Sequence, residues 1–182
     1  MEIGMVRRAH RSAIIGAFVL SLAGTTGLAI ASSGSAQRGS TEAASAASDY
    51  VIDAVHSAVI FRVKHNQAAF NYGRFNGIDG VVMYDETEGV TGVKVNVDTA
   101  SVDTANKNRD DHLRSPDFFN AKQFPKITFK STSVKKIGDH TYEVTGEFTL
   151  SGVTKPLTVI LEHTGNGKTM QGGDVAGFET TF

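Results

Sequence analysis

Thr141-Tyr142-Glu143-Val144-Thr145-Gly146-Glu147-Phe148-Thr149-Leu150 sets Tyr142, Val144, Phe148 and Leu150 on one side of an extended chain. Thr141, Glu143, Thr145, Glu147 and Thr149 fall on the other. Side chains of a strand alternate between faces, so this stretch reads as a strand with one apolar and one wet face, as antiparallel sheets require. The same period recurs on both sides of it. Leu157, Val159 and Leu161 alternate with Thr158 and Ile160, and Val93, Val95 and Val97 with Lys94, Asn96 and Asp98. Val59, Phe61 and Val63 share a face opposite Arg62 and Lys64.

Turn chemistry separates these runs. Asp85-Glu86-Thr87-Glu88-Gly89, Gly138-Asp139-His140, Ser151-Gly152-Val153-Thr154-Lys155-Pro156 and Gly165-Asn166-Gly167 read as hairpin connections. About eight strands result, over 50–52, 58–65, 73–84, 91–102, 126–137, 141–150, 155–164 and 174–182. Gly77 and Gly80 inside the third suggest a bulge or a sharp coil. The expected fold is therefore all-β, an eight-stranded antiparallel barrel. A barrel of that size encloses room for side chains or for one small ligand, and inward apolar faces make that room greasy. A sandwich with a filled core would show the same alternation.

One segment departs from strand periodicity. Ala105–Leu113 reads as a polar helix capped by Asp103 or Thr104, with Asp110 and Arg114 as an i,i+4 pair. Ser115-Pro116 then opens a short turn over Asp117-Phe118-Phe119. Phe118, Phe119 and Phe124 either plug one barrel end or line its mouth.

The N-terminus is of another kind. Arg7, Arg8 and Arg11 precede an apolar stretch from Ala13 to about Ala31, and Ala29-Ile30-Ala31 and Gly34-Ser35-Ala36 are small-x-small sites. This is the pattern of an export signal over 1–31, with an uncleaved membrane anchor as the alternative. Removing residues 1–31 takes away three arginines and one glutamate, moving the formal net charge from −1 to −3. Residues 32–48, rich in Ser, Ala and Gly, read as a flexible linker, and 49–182 as the barrel domain. The expected location is periplasmic or secreted.

Composition narrows the function classes. The near-neutral charge gives no basic excess for nucleic acid. The absence of cysteine excludes disulfides, thiolate metal sites, cysteine nucleophiles and a lipobox anchor. Gly167-Lys168-Thr169 ends like a phosphate loop, but Glu162 stands where its first glycine belongs. His56, His65 and His112 lack metal-ligand spacing, and we expect His56 and His112 to bond backbone groups. No cofactor is called for.

Several stretches carry a resemblance. Tyr50-Val51-Ile52-Asp53-Ala54-Val55-His56-Ser57, Phe61-Arg62-Val63-Lys64-His65, Gly73-Arg74-Phe75 and Ser101-Val102-Asp103-Thr104 come first. Arg109-Asp110-Asp111-His112-Leu113-Arg114-Ser115-Pro116-Asp117-Phe118-Phe119, Phe124-Pro125-Lys126-Ile127-Thr128-Phe129-Lys130-Ser131 and Gly152-Val153-Thr154-Lys155-Pro156 follow in order. Residues 50–182 thereby resemble the YceI-like family, the polyisoprenoid-binding, lipocalin-like proteins of bacteria. The resemblance implies a lipocalin-like barrel whose lumen holds an isoprenoid or similar amphiphile, with no catalytic residues and no required metal. In one respect the sequence departs from the family pattern: after Gly177-Phe178 only Glu179-Thr180-Thr181-Phe182 remain, so the closing strand is expected to be truncated.

The expected lumen residues are Phe61, Val63, Val95, Tyr142, Val144, Phe148, Val159 and Leu161. Arg109, His112 and Arg114 could hold an anionic head group, Arg109 and His112 sharing a helix face. The alternative is a solvated helix. Three functions stay open: a carrier of an isoprenoid or other long-chain amphiphile, a structural barrel with a filled core, and an enzyme using His112 with Asp110 or Asp111. A homodimer is left open as well.

Overall fold

The computed structural model describes residues 6–8 and 48–182. The strands are β1 (Val6–Arg8), β2 (Ser48–Ile52), β3 (Val59–His65), β4 (Ala69–Phe75), β5 (Ile78–Asp85), β6 (Gly89–Asp98), β7 (Val102–Asp103), β8 (Lys126–Lys136), β9 (Thr141–Leu150), β10 (Val153–Lys168) and β11 (Asp174–Thr181). Among the described residues one α-helix, α1 (Lys107–Arg114), and a single 3-10 turn at Thr99–Ser101 interrupt them. The alternating strands close into an antiparallel barrel in the order β1-β11-β10-β9-β8-β6-β5-β2. The all-β barrel with one helical excursion is thus the observed architecture, but its eight staves are not the eight expected. β3 and β4 leave the barrel and form a small sheet with β7.

The reason lies at Asn76-Gly77. The stretch expected as one strand, 73–84, breaks there into β4 and β5. Gly77 donates its N–H to Ser101 Oγ at 2.8 Å, and its carbonyl accepts from the Asp98 N–H at 2.8 Å. A Cβ at residue 77 would stand 2.8 Å from Asp98 Cβ, so only glycine lets the chain turn this close to its neighbour. The corner swings β3 and β4 out as a hairpin.

Other boundaries shift too. The β9–β10 connection is the two-residue turn Ser151-Gly152, both at positive φ, which leaves Val153–Pro156 free to pair as strand. Gly165-Asn166-Gly167 is not a turn: β10 runs through it with a bulge after His163, and the chain reverses at 169–173. α1 begins two residues later than expected, because Asn106, not Asp103 or Thr104, caps it by accepting from the Arg109 N–H at 3.0 Å.

The barrel interior is where the alternating valines meet. Val95, Val97, Val102 and Val144 are essentially inaccessible, and Ile78, Val82, Val93, Leu161 and Phe178 are buried with them. The two barrel ends differ. At one end Tyr50 and Tyr84 meet edge to face with ring centroids 5.9 Å apart, and His163 stacks on Phe178 at 5.0 Å. His140 approaches His163 at 5.6 Å, and His163 Nε2 lies 2.9 Å from Asn166 Oδ1, so rings and a satisfied imidazole fill this end. Burial, with the neighbouring tyrosines and carboxylates, raises the Tyr84 phenol above its ordinary value. The acidic turn Asp85-Glu86-Thr87-Glu88 lies here, closed by Asp85 Oδ1 accepting from the N–H groups of Thr87 (2.7 Å) and Glu88 (3.0 Å). The other end, about 23 Å away along the eight residues of β5, is where β5 begins and the β3–β4 hairpin departs.

β1 bridges the last seam. Val6 pairs with both Ile52 and Ala176, and Arg7 with both Val51 and Val175. Beyond Ala176, that flank of β11 has no partner strand among the described residues. Apart from Val6–Arg8, the segment read as export signal lies outside the described residues, as do residues 32–47.

Candidate functional site

At the hairpin end the barrel opens into a cavity of about 930 Å³. Its walls come from Val97, Ile127, Phe148 and Leu150 of the barrel, Phe119 of the loop after α1, and Val59, Ile60, Phe61, Arg62, Val63, Tyr72 and Phe75 of the hairpin, with Thr181 and Phe182. Consecutive residues 59–63 all take part because, among the described residues, β3 is an edge strand paired only with β4, and the cavity runs along its other edge. Deeper in the barrel is a void of about 20 Å³, lined by Val93, Phe129, Val144, Phe148, Leu157, Val159, Leu161, Thr180 and Phe182. Phe148 and Phe182 line both spaces.

The mouth is framed by aromatic rings. Phe61 and Phe75 lie 5.4 Å apart, and Phe119 stands edge-on to Phe75 at 5.4 Å and to Phe61 at 6.3 Å. Arg62 is the one charged side chain among the lining residues, and its guanidinium rests 4.6 Å above the Phe70 ring.

The loop that carries Phe119 is locked by the very side chains read as candidate head-group ligands. Arg114 donates to the carbonyls of Ala100 and Val102, both at 2.7 Å, and to Asp111 at 3.1 Å. Arg109 donates to the Thr104 carbonyl and to Thr104 Oγ1, both at 2.7 Å. The expected Asp110–Arg114 pair does not form. Asp110 is buried and accepts from the Thr104 N–H at 2.9 Å and from its hydroxyl, while Arg114 takes Asp111 instead. Asp111 is held below the usual carboxylate range by Lys107, then by Arg114. Asp103 is held low by the Ala105 N–H, then by the Asn76 amide.

His112 faces Asp117 at 3.4 Å and packs against the exposed Phe118. His56 is bonded to Asp53 at 2.8 Å, so both histidines meet carboxylates and not the backbone groups expected of them. His65 bonds Asn66 at 3.0 Å. Arg109, His112 and Arg114 are absent from the cavity wall.

Of the expected lumen residues, Val95, Tyr142, Val144, Val159 and Leu161 are buried in the barrel core, and Phe61 and Phe148 are half-buried. Val63 is 57 % exposed, because the hairpin carries it out of the barrel, yet it lines the cavity. Val144, Val159 and Leu161 reach the deep void, whereas Val95 and Tyr142 line neither space. Of the three phenylalanines outside the strands, only Phe119 enters the mouth; Phe124 packs on the Gly152 turn. Ile127, Leu150, Leu157 and Phe129 line these spaces unforeseen, although each lies on the apolar side of an alternating run.

The described residues thus form an antiparallel barrel, ring-filled at one end and opening at the other into an apolar cavity. Residues 50–182 match the YceI-like domain, and the chain belongs to the YceI-like family. It is 43 % identical to a UPF0312 protein of Azotobacter vinelandii over 155 residues, 84 % of this chain and 80 % of that one. It is 46 % identical to Protein YceI of Escherichia coli O157:H7 over 136 residues, 73 % and 71 % of the two chains. The crystal structure of the Campylobacter jejuni YCEI protein superposes with a TM-score of 0.57 at 34 % identity, covering 69 % of this chain and 74 % of that one. Burkholderia cenocepacia BcnA, 22 % identical, shares the fold with a TM-score of 0.58 over 70 % of this chain and 97 % of its own.

Proposed function

We propose that the protein is an exported, non-catalytic carrier that holds the apolar tail of an isoprenoid or similar long-chain amphiphile. The observation that carries this reading is the cavity of about 930 Å³ at the barrel mouth, walled by aliphatic and aromatic side chains with a single cation. Its size falls in the range of about 300–1,000 Å³ usual for ligand pockets, and its composition suits a tail that gains about 0.8 kcal/mol per buried CH₂. Affinity comes mainly from the tail, and an anionic head group is met by Arg62 at the rim. Arg109, His112 and Arg114, read earlier as a head-group cluster, serve in this proposal to hold the rim loop. The non-catalytic reading is supported by the place of His112 off the cavity and by the bonds of Asp110 and Asp111 to Thr104, Lys107 and Arg114.

Native mass spectrometry of the purified protein, with organic extraction of whatever travels with it, tests the proposal. A co-purifying long-chain amphiphile that also binds back to stripped protein is the expected result. A protein that takes up no such molecule in a direct titration is a filled barrel, and the carrier reading falls.

A further inference from the structure

The β3–β4 hairpin has a composition unlike the rest of the chain. Residues 59–75 contain Arg62, Lys64 and Arg74 and no Asp or Glu, in a protein of formal net charge −1. The antiparallel register sets Ile60 opposite Arg74, Arg62 opposite Tyr72 and Lys64 opposite Phe70. Paired residues of an antiparallel ladder point to the same side, so these six share one face, with cations and apolar side chains interleaved. It is not the face that carries Phe61 and Phe75 against Phe119. Ile60, Phe70 and Tyr72 are 40 %, 47 % and 59 % exposed, so three large apolar side chains of one hairpin face meet solvent.

We infer that this face docks on an anionic lipid bilayer and sets the cavity mouth against it. Aromatic side chains settle at the bilayer interface with their apolar bodies inward, while arginine and lysine reach lipid phosphates from long apolar stems. Each cation near an anionic leaflet strengthens binding about fivefold. Arg74 stands opposite Asp103 of β7, whose carboxyl it helps to hold low, so the charge left on this face is that of Arg62 and Lys64; it matches a bilayer of negative lipids and opposes a second copy of the same hairpin, which would bring like charges together. The position matters as much as the composition. Ile60, Arg62 and Tyr72 of this face also line the cavity, so a docked hairpin leaves the mouth beside the lipid and a ligand can pass without crossing water. The inference rests on the carrier reading for its purpose, not for its measurement.

The chain has no cysteine, so Ala69→Cys on the exposed hairpin and Glu88→Cys at the opposite barrel end each accept one environment-sensitive dye. With the full chain and no added ligand, phosphatidylglycerol vesicles should shift the dye at residue 69 and not at 88. Phosphatidylcholine vesicles should shift neither. Lys64→Glu and Phe70→Ser, both outside the cavity wall, should each weaken binding of the residue-69 conjugate to the anionic vesicles about tenfold, while binding of a neutral long-chain alcohol in solution, which does not draw on Arg62, stays unchanged. The same N-terminal segment is present throughout, so the differences report the hairpin. Equal shifts at 69 and 88, no shift on anionic vesicles, or a dye shift produced by self-association and lost on dilution would each overturn docking. Loss of amphiphile binding with the vesicle response intact would instead sink the carrier reading and leave docking standing.

Discussion

Phe148 and Phe182 meet edge to face, their ring centroids 5.6 Å apart at 69°, and together they divide the open cavity from the void beneath it. In the carrier proposal, this contact sets the depth to which an apolar tail can enter.

Tail length should therefore have a defined effect. Extending a ligand tail at fixed head group should tighten binding, with association and ordering costs offsetting part of the gain of about 0.8 kcal/mol per CH₂, until the tail reaches the ring pair. Affinity should then level off. Phe148→Ala should move the plateau to longer tails by opening the void. Isothermal titration with a homologous series of alcohols checks both statements, and an unchanged plateau in the variant would show that the rings are not the floor.

Head-group preference separates the arginines. Arg62→Ala should weaken a pyrophosphate-bearing amphiphile more than its neutral alcohol, because only the anion loses a charged partner. Arg114→Ala and Arg109→Ala should weaken both ligands equally, since each acts through the loop that positions Phe119. A selective loss at Arg109 would return that residue to the head group.

Core and site should respond independently. Val144→Ala removes two methylene equivalents from a fully buried position and should cost about 2 kcal/mol in denaturant unfolding. Exposed Val63→Ala should cost less than about 0.5 kcal/mol yet reduce ligand affinity, because it lines the cavity without supporting the barrel.

Acid should loosen the loop region around α1. Asp103 and Asp111 titrate below their ordinary values in the folded protein, so the stability they contribute is present in full above the unfolded value near about 4. It is lost as pH falls through the lower folded-state values. The thermal midpoint should drop across that window, and Asp103→Asn should flatten the drop.

Export has a direct reading as well. N-terminal sequencing of protein recovered outside the cytoplasm should begin near Ser32 or Gln37. Intact Met1 on membrane-embedded material would favour an anchor. Cleavage after Ala31 also removes β1, and the mature barrel then meets its β2–β11 seam without that three-residue strand.

The barrel was legible because its strands obey a period of two, and period two is local: Tyr142, Val144 and Phe148 declare their common face without reference to any partner. What could not be read was where a continuous alternating stretch changes sheets. Asn76-Gly77 interrupts it by a contact with Asp98 and Ser101, more than twenty residues on, and no local pattern encodes that contact. The rim loop shows the same limit. Arg109 and Arg114 have the right chemistry for phosphate, but carbonyls of Ala100, Val102 and Thr104 lie within their reach and take the donors first. Arg62 was placed correctly on the polar side of β3, yet the cavity it borders exists only because β3 is an edge.

The acidic turn at residues 85–88 and the acid-free hairpin stand at opposite ends of β5, about 23 Å apart. In the docking proposal Arg62 and Lys64 of the hairpin are drawn to a negatively charged surface before any contact, which favours approach by the open end. Productive encounters are then selected during diffusion, and their frequency falls with ionic strength, whatever the affinity of the contact that follows.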